Sequence, residues 1–149
     1  MSYPPALPTI VEAIHASLSP VFMLTGIGAL LNVVAGRLSR VVDRARQLEE
    51  QHGALADGKR AQLVAELRLL SRRMGIINAA LSLAVASAVA TCGVVAMLFI
   101  GALSNYRLGH IVAFTFIVAM SLLILAFSAF MIEVRLSIRA IRIRDELLR

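Results

Sequence analysis

Several residue types on which soluble proteins rely are scarce in this sequence. It has no Trp, a single Cys and only 5% aromatic residues. One cysteine excludes an intrachain disulfide and any cysteine-based metal framework. Charged residues make up 16% of the chain, against about 25% in ordinary soluble domains. Because 59% of the residues are hydrophobic, the chain has more apolar surface than one small soluble core can bury.

Long stretches without charge predict an all-α integral membrane protein with a single domain over residues 1–149. No residue between Glu12 and Arg37 carries a full charge, and two longer uncharged stretches follow. Each stretch is long enough for a helix to cross the roughly 30 Å of hydrocarbon in a bilayer. Three transmembrane helices are therefore predicted, at residues 20–36, 75–103 and 111–132.

The basic residues are distributed unevenly among the segments that flank these spans. Residues 37–73 contain nine and residues 133–149 contain five, whereas Arg107 is alone between the second and third spans. The first 20 residues contain no Lys or Arg, so no cleavable signal peptide is predicted. Because basic flanks stay in the cytoplasm, we expect a multi-pass protein of the cell's inner membrane, with its N-terminus outside and its C-terminus cytoplasmic.

The flanking segments also have helical patterns. Apolar residues at three- and four-residue steps predict that 37–73 is a cytoplasmic antiparallel helical hairpin with a coiled-coil-like seam. Its turn is predicted between His52-Gly53 and Asp57-Gly58. Residues 9–18 read as an interfacial helix outside the membrane that bends into the first span at Ser19-Pro20.

Residues 133–149 are predicted to continue the third span as a cytoplasmic basic helix. Three of its arginines are expected to contact anionic lipid headgroups, each contact being worth about 1 kcal/mol. These residues are Arg135, Arg139 and Arg142. Simple positive-inside anchoring is the alternative explanation for them.

No arrangement of residues typical of an active site is present. The histidines, at positions 15, 52 and 110, have no Cys or carboxylate partner at metal-ligand spacing. We therefore expect no enzymatic activity, no metal and no cofactor. Nucleic-acid binding is not expected either, because the basic residues flank apolar stretches and are mixed with acids. The spans lack ionisable residues in their central stretches, which disfavours a proton-driven transporter but leaves a passive pore possible.

Small and polar residues form a stripe along the first span. Its members are Thr25, Gly28, Asn32, Gly36 and Ser39. Such a stripe is typical of a helix-packing seam, because small residues let backbones approach closely, or of a pore wall in a ring of subunits. Asn78 in the second span and Asn32 each lie five residues from the nearest arginine, so an interhelical polar contact at similar depth is expected for both.

These features favour a cyclic homo-oligomer in the lipid bilayer that forms a passive channel or pore for small ions. The first span would line its axis and Glu12 would form an outer acidic collar, the alternative role of Glu12 being to cap the helix that begins near Thr9. An inner basic ring would consist of Arg37, Arg40 or Arg44. The alternative is a non-conducting membrane scaffold or sensor whose cytoplasmic hairpin binds a soluble partner.

Three segments carry a resemblance to a known family. They read IHASLSPVF at residues 14–22, LNVVAGRL at 31–38 and RVVDRAR at 40–46. With the later spans and the basic tail, this pattern resembles a bacterial family of short three-span membrane proteins catalogued as a domain of unknown function. The resemblance implies a small multi-pass bacterial membrane protein, and it implies no activity.

Overall fold

The computed structural model is all-helical over the residues it describes. The chain is described at residues 7–52, 57–104 and 109–146, with side chains described at 10–48, 50, 64, 66–103 and 109–137. The three helices are α1 (Leu7–His52), α2 (Asp57–Ser104) and α3 (Gly109–Glu146). The end of α1 and the start of α2 coincide with the two positions where the sequence predicts helix breaks.

All three helices contain a stretch long and apolar enough to cross a membrane, which confirms a multi-pass membrane protein with three transmembrane helices. These stretches lie within Ile10–Leu48, Glu66–Leu103 and Gly109–Ser137. At about 1.5 Å per residue, the 46 residues of α1 extend about 69 Å, more than twice the roughly 30 Å of the hydrocarbon layer. This helix is thus longer than a single span requires.

Pro20 lies inside α1, which runs through it without a break. Residues 9–18 and the first span therefore belong to one continuous helix and not to two separate ones. Proline removes one backbone hydrogen bond from a helix interior, which is why it usually marks a boundary. One face of α1 is buried before and after the proline, at Ala13, Ser17, Pro20 and Ile27. Packing on both sides of Pro20 therefore holds the helix together.

The chain divides into two compact units. The first combines α1 up to Leu31 with α2 from Leu83 onward and α3 up to Ile124. Its core includes Ser87 of α2 and Ala119 of α3, neither of which has any exposed surface. The Ser87 hydroxyl donates a hydrogen bond to the Ala119 carbonyl at 2.8 Å. Because both side chains are small, the two helix backbones approach closely at this point.

The second unit contains the remaining parts of the same three helices. Its buried aliphatic residues come from all three helices and include Val34, Val41, Ala45 and Leu48 of α1, Leu70, Ile77 and Ala80 of α2, and Ala126 of α3. On α1 these residues recur at three-, four- and seven-residue steps, so one face of the helix is continuously buried. The core of this unit also contains a charged residue, Glu133.

Candidate functional site

Glu133 of α3 is almost completely buried, with only 1% of its surface exposed. It lies one turn beyond Phe130 and one turn before Ser137, on the same face of the helix as the fully buried Ala126. An isolated carboxylate in such a position would be strongly disfavoured, because its charge loses the solvation of water. The surroundings of Glu133 must therefore supply compensating donors.

Two arginines from different helices neutralise this carboxylate. Arg37 of α1 donates from its Nη1 to Glu133 Oε2 at 3.0 Å, and Arg73 of α2 donates from its Nη2 to Glu133 Oε1 at 3.0 Å. The Ser137 hydroxyl donates to the same Oε1 at 2.7 Å and accepts a hydrogen bond from Arg73. Both carboxylate oxygens thus bind charged donors, and one network joins α1, α2 and α3 within the second unit.

The chain order explains why these residues meet. Arg37 is the first charge after the uncharged stretch of α1, Arg73 is the last charge before that of α2, and Glu133 is the first after that of α3. Since consecutive spans run in opposite directions, these three positions come to one end of the spans. The Arg37 guanidinium also lies over the Phe130 ring, 5.3 Å from its centroid, which adds a cation–π contact.

An arginine-lined cavity of about 520 Å³ adjoins the buried glutamate. Its polar lining consists of Arg37, Arg40, Arg44, Arg73, Glu133 and Ser137, and three aliphatic side chains complete it. Arg44 donates to Glu66 at 3.2 Å in a pair that is nearly half exposed. Arg40 is exposed and has no ion-pair partner among the residues that the structure describes. The Arg73 Nε is buried and has no hydrogen-bond acceptor there either.

The lining therefore carries a strong excess of positive charge. Four arginines face one glutamate, an excess of three charges, which the nearby Glu66 reduces to two. Arginine offers five N–H donors in a planar fork, which suits carboxylate and phosphate groups. A metal cation is not expected at such a site, and the described side chains contain no cluster of His, Cys, Asp or Glu that could hold one.

The five residues of the predicted stripe on α1 are all exposed in the chain. Thr25 and Gly28 belong to the first unit, and Asn32, Gly36 and Ser39 to the second. A methyl group added at Gly28 or Gly36 would meet nothing within 4 Å. The stripe lies on the side of α1 away from its buried residues, such as Ile27 and Val34. The three helices of a single chain thus pack without it.

The two asparagines singled out in the sequence are both exposed in the second unit. No hydrogen bond joins Asn32 to Asn78 in the described part of this unit, and neither side chain bonds another described residue. Both amides thus remain without a hydrogen-bond partner among the described residues.

The remaining predicted residues fall in several environments. Glu12 is exposed on α1, in the first unit. Of the three arginines expected in an inner ring, Arg37 is held by Glu133, Arg44 pairs with Glu66, and only Arg40 is unpaired among the described residues. Arg135 is exposed on α3. The side chains of Arg139 and Arg142 lie outside the described residues.

Glu133, the residue around which the site is built, was not predicted from the sequence. A signal was available, because no other acidic residue lies between Glu66 and Asp145. Glu133 also shares a helical face with Ala126, Phe130 and Ser137, at steps of four, three and four residues. The orientation of the chain in the membrane was predicted from the number of basic residues alone. A count of basic residues takes no notice of a single carboxylate at the end of a span.

Three apolar helices and a buried ion-pair network at one end of the spans define a helical, multi-pass membrane protein. The chain belongs to the family described as Protein of unknown function (DUF2721), whose model matches residues 17–143. This match confirms the family resemblance expected from the sequence. No curated protein and no solved structure matches the chain.

Proposed function

We propose that the protein forms a homo-oligomeric, passive pore for small ions, with α1 of each subunit lining the axis. The observation that carries this proposal is the exposure of the small and polar stripe of α1 along its entire length. A stripe of this kind can form a close subunit contact or a hydrated wall, because its side chains leave the backbone accessible.

The exposed asparagines support association in the membrane. Asn32 and Asn78 lie in apolar stretches and face away from the core of their own chain. An amide that faces hydrocarbon without a partner is disfavoured by several kcal/mol, as a rough figure for transfer to an environment without hydrogen bonds. A neighbouring subunit or water in a pore would satisfy both amides, and lipid chains would not.

A second small-residue face is also available for subunit contacts. Gly75, Ala79, Ser82 and Ala86 of α2 are all exposed. A ring of three or more subunits requires two different surfaces per subunit, since each subunit contacts its two neighbours through different sides. The exposed faces of α1 and α2 provide such a pair.

The orientation that we propose has the N-terminus outside and the arginine-rich end of the spans in the cytoplasm of the cell. The distribution of basic residues supports it. In this orientation, the segments of α1 and α2 that follow Gly36 and precede Met74 form the cytoplasmic hairpin. The ion pair between Arg44 and Glu66 supports their association.

Substitution of Thr25 by Trp tests the pore directly. The purified protein is reconstituted in planar bilayers, and current is measured across a range of voltages, pH values and divalent-ion concentrations. We expect Thr25→Trp to remove most of the conductance. Thr25 is exposed, so the much larger indole that replaces its side chain would fill the lumen at this position.

A matched control is Ile117→Trp on α3, at a residue of the same unit that is 61% exposed and belongs to an apolar surface. This variant should conduct like the unmodified protein. Absence of current from a well-formed oligomer would refute the pore and favour a scaffold that binds a soluble partner. Equal loss of current in both variants would show that Thr25 does not line the pathway.

A further inference from the structure

We infer that the arginine-lined cavity next to Glu133 binds a phosphate group, and that its lining suits the headgroup of an anionic membrane phospholipid. The cavity lies within the second unit of one chain and does not depend on a pore. Its volume, about 520 Å³, is within the range of about 300–1,000 Å³ that is usual for small-molecule sites.

The arrangement of charge is the first reason. A buried cluster that served only to hold the helices together would need enough arginine to neutralise Glu133. Arg37 and Arg73 already do so, each at 3.0 Å. Arg40 and Arg44 add two further guanidinium groups to the same cavity, and of these two only Arg44 has a carboxylate partner among the described residues. The lining thus retains positive charge that an anion can neutralise.

The state of Glu133 is the second reason. A free carboxylate in the lining would repel a phosphate, but both of its oxygens accept hydrogen bonds from arginine or serine. The carboxylate instead fixes the orientation of Arg37 and Arg73, so that these two side chains lose less freedom when a ligand binds. Arg37 and Arg73 each use one terminal nitrogen for the carboxylate, and both side chains also line the cavity.

The depth of the cavity and its apolar lining indicate the source of the phosphate. Arg37 and Arg73 directly border the uncharged stretches of α1 and α2, where lipid headgroups meet the hydrocarbon. Val41, Leu70 and Val134 supply aliphatic surface beside the guanidinium groups. A lining that is cationic on one part and aliphatic on another matches a phospholipid, which carries acyl chains next to its phosphate.

The test uses the full chain purified in a mild detergent and three probes. These are phosphatidylglycerol, a diacylglycerol with the same acyl chains, and inorganic phosphate. Binding of the lipids is measured by native mass spectrometry, and binding of inorganic phosphate by calorimetry. We expect phosphatidylglycerol to bind, and diacylglycerol to bind much more weakly because it lacks the phosphate.

The variant Arg40→Gln probes the cavity without disturbing the core, because Arg40 is exposed and pairs with no described residue. It should weaken binding of phosphatidylglycerol about tenfold, which corresponds to about 1.4 kcal/mol. The control Arg68→Gln removes an exposed arginine of α2 that is not part of the lining and should leave binding unchanged.

Each outcome decides the proposal. Arg40-dependent binding of phosphatidylglycerol supports a headgroup site. Arg40-dependent binding of inorganic phosphate without binding of the lipid supports the phosphate site and assigns it to a soluble ligand. Equal binding of diacylglycerol and phosphatidylglycerol, equal weakening by both variants, or no binding of any probe would overturn the inference.

Discussion

Glu133 joins all three helices of the second unit through its side chain. Its charge lies in a core that is otherwise aliphatic, and it is accommodated because two guanidinium groups and one hydroxyl reach its oxygens. Buried ion pairs add little stability compared with apolar residues of similar size, but loss of one partner leaves the others without compensation. We therefore expect the network to specify how the helices associate more than it stabilises them.

Replacement of Glu133 by Gln should destabilise the protein strongly. The amide keeps the shape of the side chain but leaves Arg37 and Arg73 facing each other without a negative charge. Loss of one partner from a buried pair costs about 3–5 kcal/mol. Because Arg37 is still 31% exposed, we expect about 3 kcal/mol, the lower end of that range. Unfolding by denaturant in detergent micelles, followed by circular dichroism, measures this change.

Glu66→Gln is the matched control for this prediction. It makes the same chemical change at a glutamate that also pairs with an arginine, but both partners are nearly half exposed. Exposed pairs contribute about 0–1 kcal/mol, so little change in stability is expected. If both variants lost a similar amount of free energy of unfolding, burial would not be the reason why Glu133→Gln destabilises the protein.

Individual residues of the site were only partly predictable from the sequence. Arg37, Arg40 and Arg44 were expected at the charged end of the first span, and they line the cavity there. Their partners were not predicted, because a salt bridge between Arg37 and Glu133 joins residues 96 positions apart. Helical periodicity gives the face on which a residue lies, and it gives no information about which distant residue faces it.

At the scale of helices, the close approach of α2 and α3 in the first unit depends on small side chains. Replacement of Ala119 by Leu should destabilise this unit by about 1–3 kcal/mol, the usual range for overpacking a well-filled core. Ala119 has no exposed surface, and its carbonyl accepts the Ser87 hydrogen bond. A lower unfolding temperature and faster hydrogen exchange in α2 and α3 would be the expected result.

Ala113→Leu provides the control on the same helix and in the same unit. Ala113 is exposed, so the larger side chain enters no protein core. Its effect on stability should be small. If Ala119→Leu were tolerated equally well, α2 and α3 would not be in close contact at this level, and the core of the first unit would have to be redefined.

The helices themselves were predictable because charge is absent from long stretches of the chain, and no local alternative satisfies the backbone in a bilayer. The sequence also indicated the breaks near His52 and Asp57, where glycine follows. A proline usually marks a helix boundary, but Pro20 lies inside α1, where Ala13, Ser17 and Ile27 keep one face of the helix buried. Tertiary packing overrides such local preferences.

At the scale of the whole molecule, the chain places its polar groups in two kinds of location. Glu133, Arg37 and Arg73 satisfy one another inside the second unit. Asn32 and Asn78 instead point away from the core and bond no described residue. Because both lie in stretches apolar enough to cross a membrane, we expect them to find a partner outside the described residues, as the proposed oligomer would provide.

Replacement of both asparagines by leucine tests whether that partner is another subunit. Hydrogen bonds between membrane helices contribute about 0.6–2 kcal/mol each, so the double variant should shift the equilibrium toward monomer. Analytical ultracentrifugation in a mild detergent, over a series of protein concentrations, measures the shift. The control is Val33→Leu. Val33 is an exposed neighbour of Asn32 without a polar side-chain group, so this variant should leave the oligomer unchanged. An oligomer of undiminished stability in the double variant would mean that the amides do not contribute to the contact between subunits.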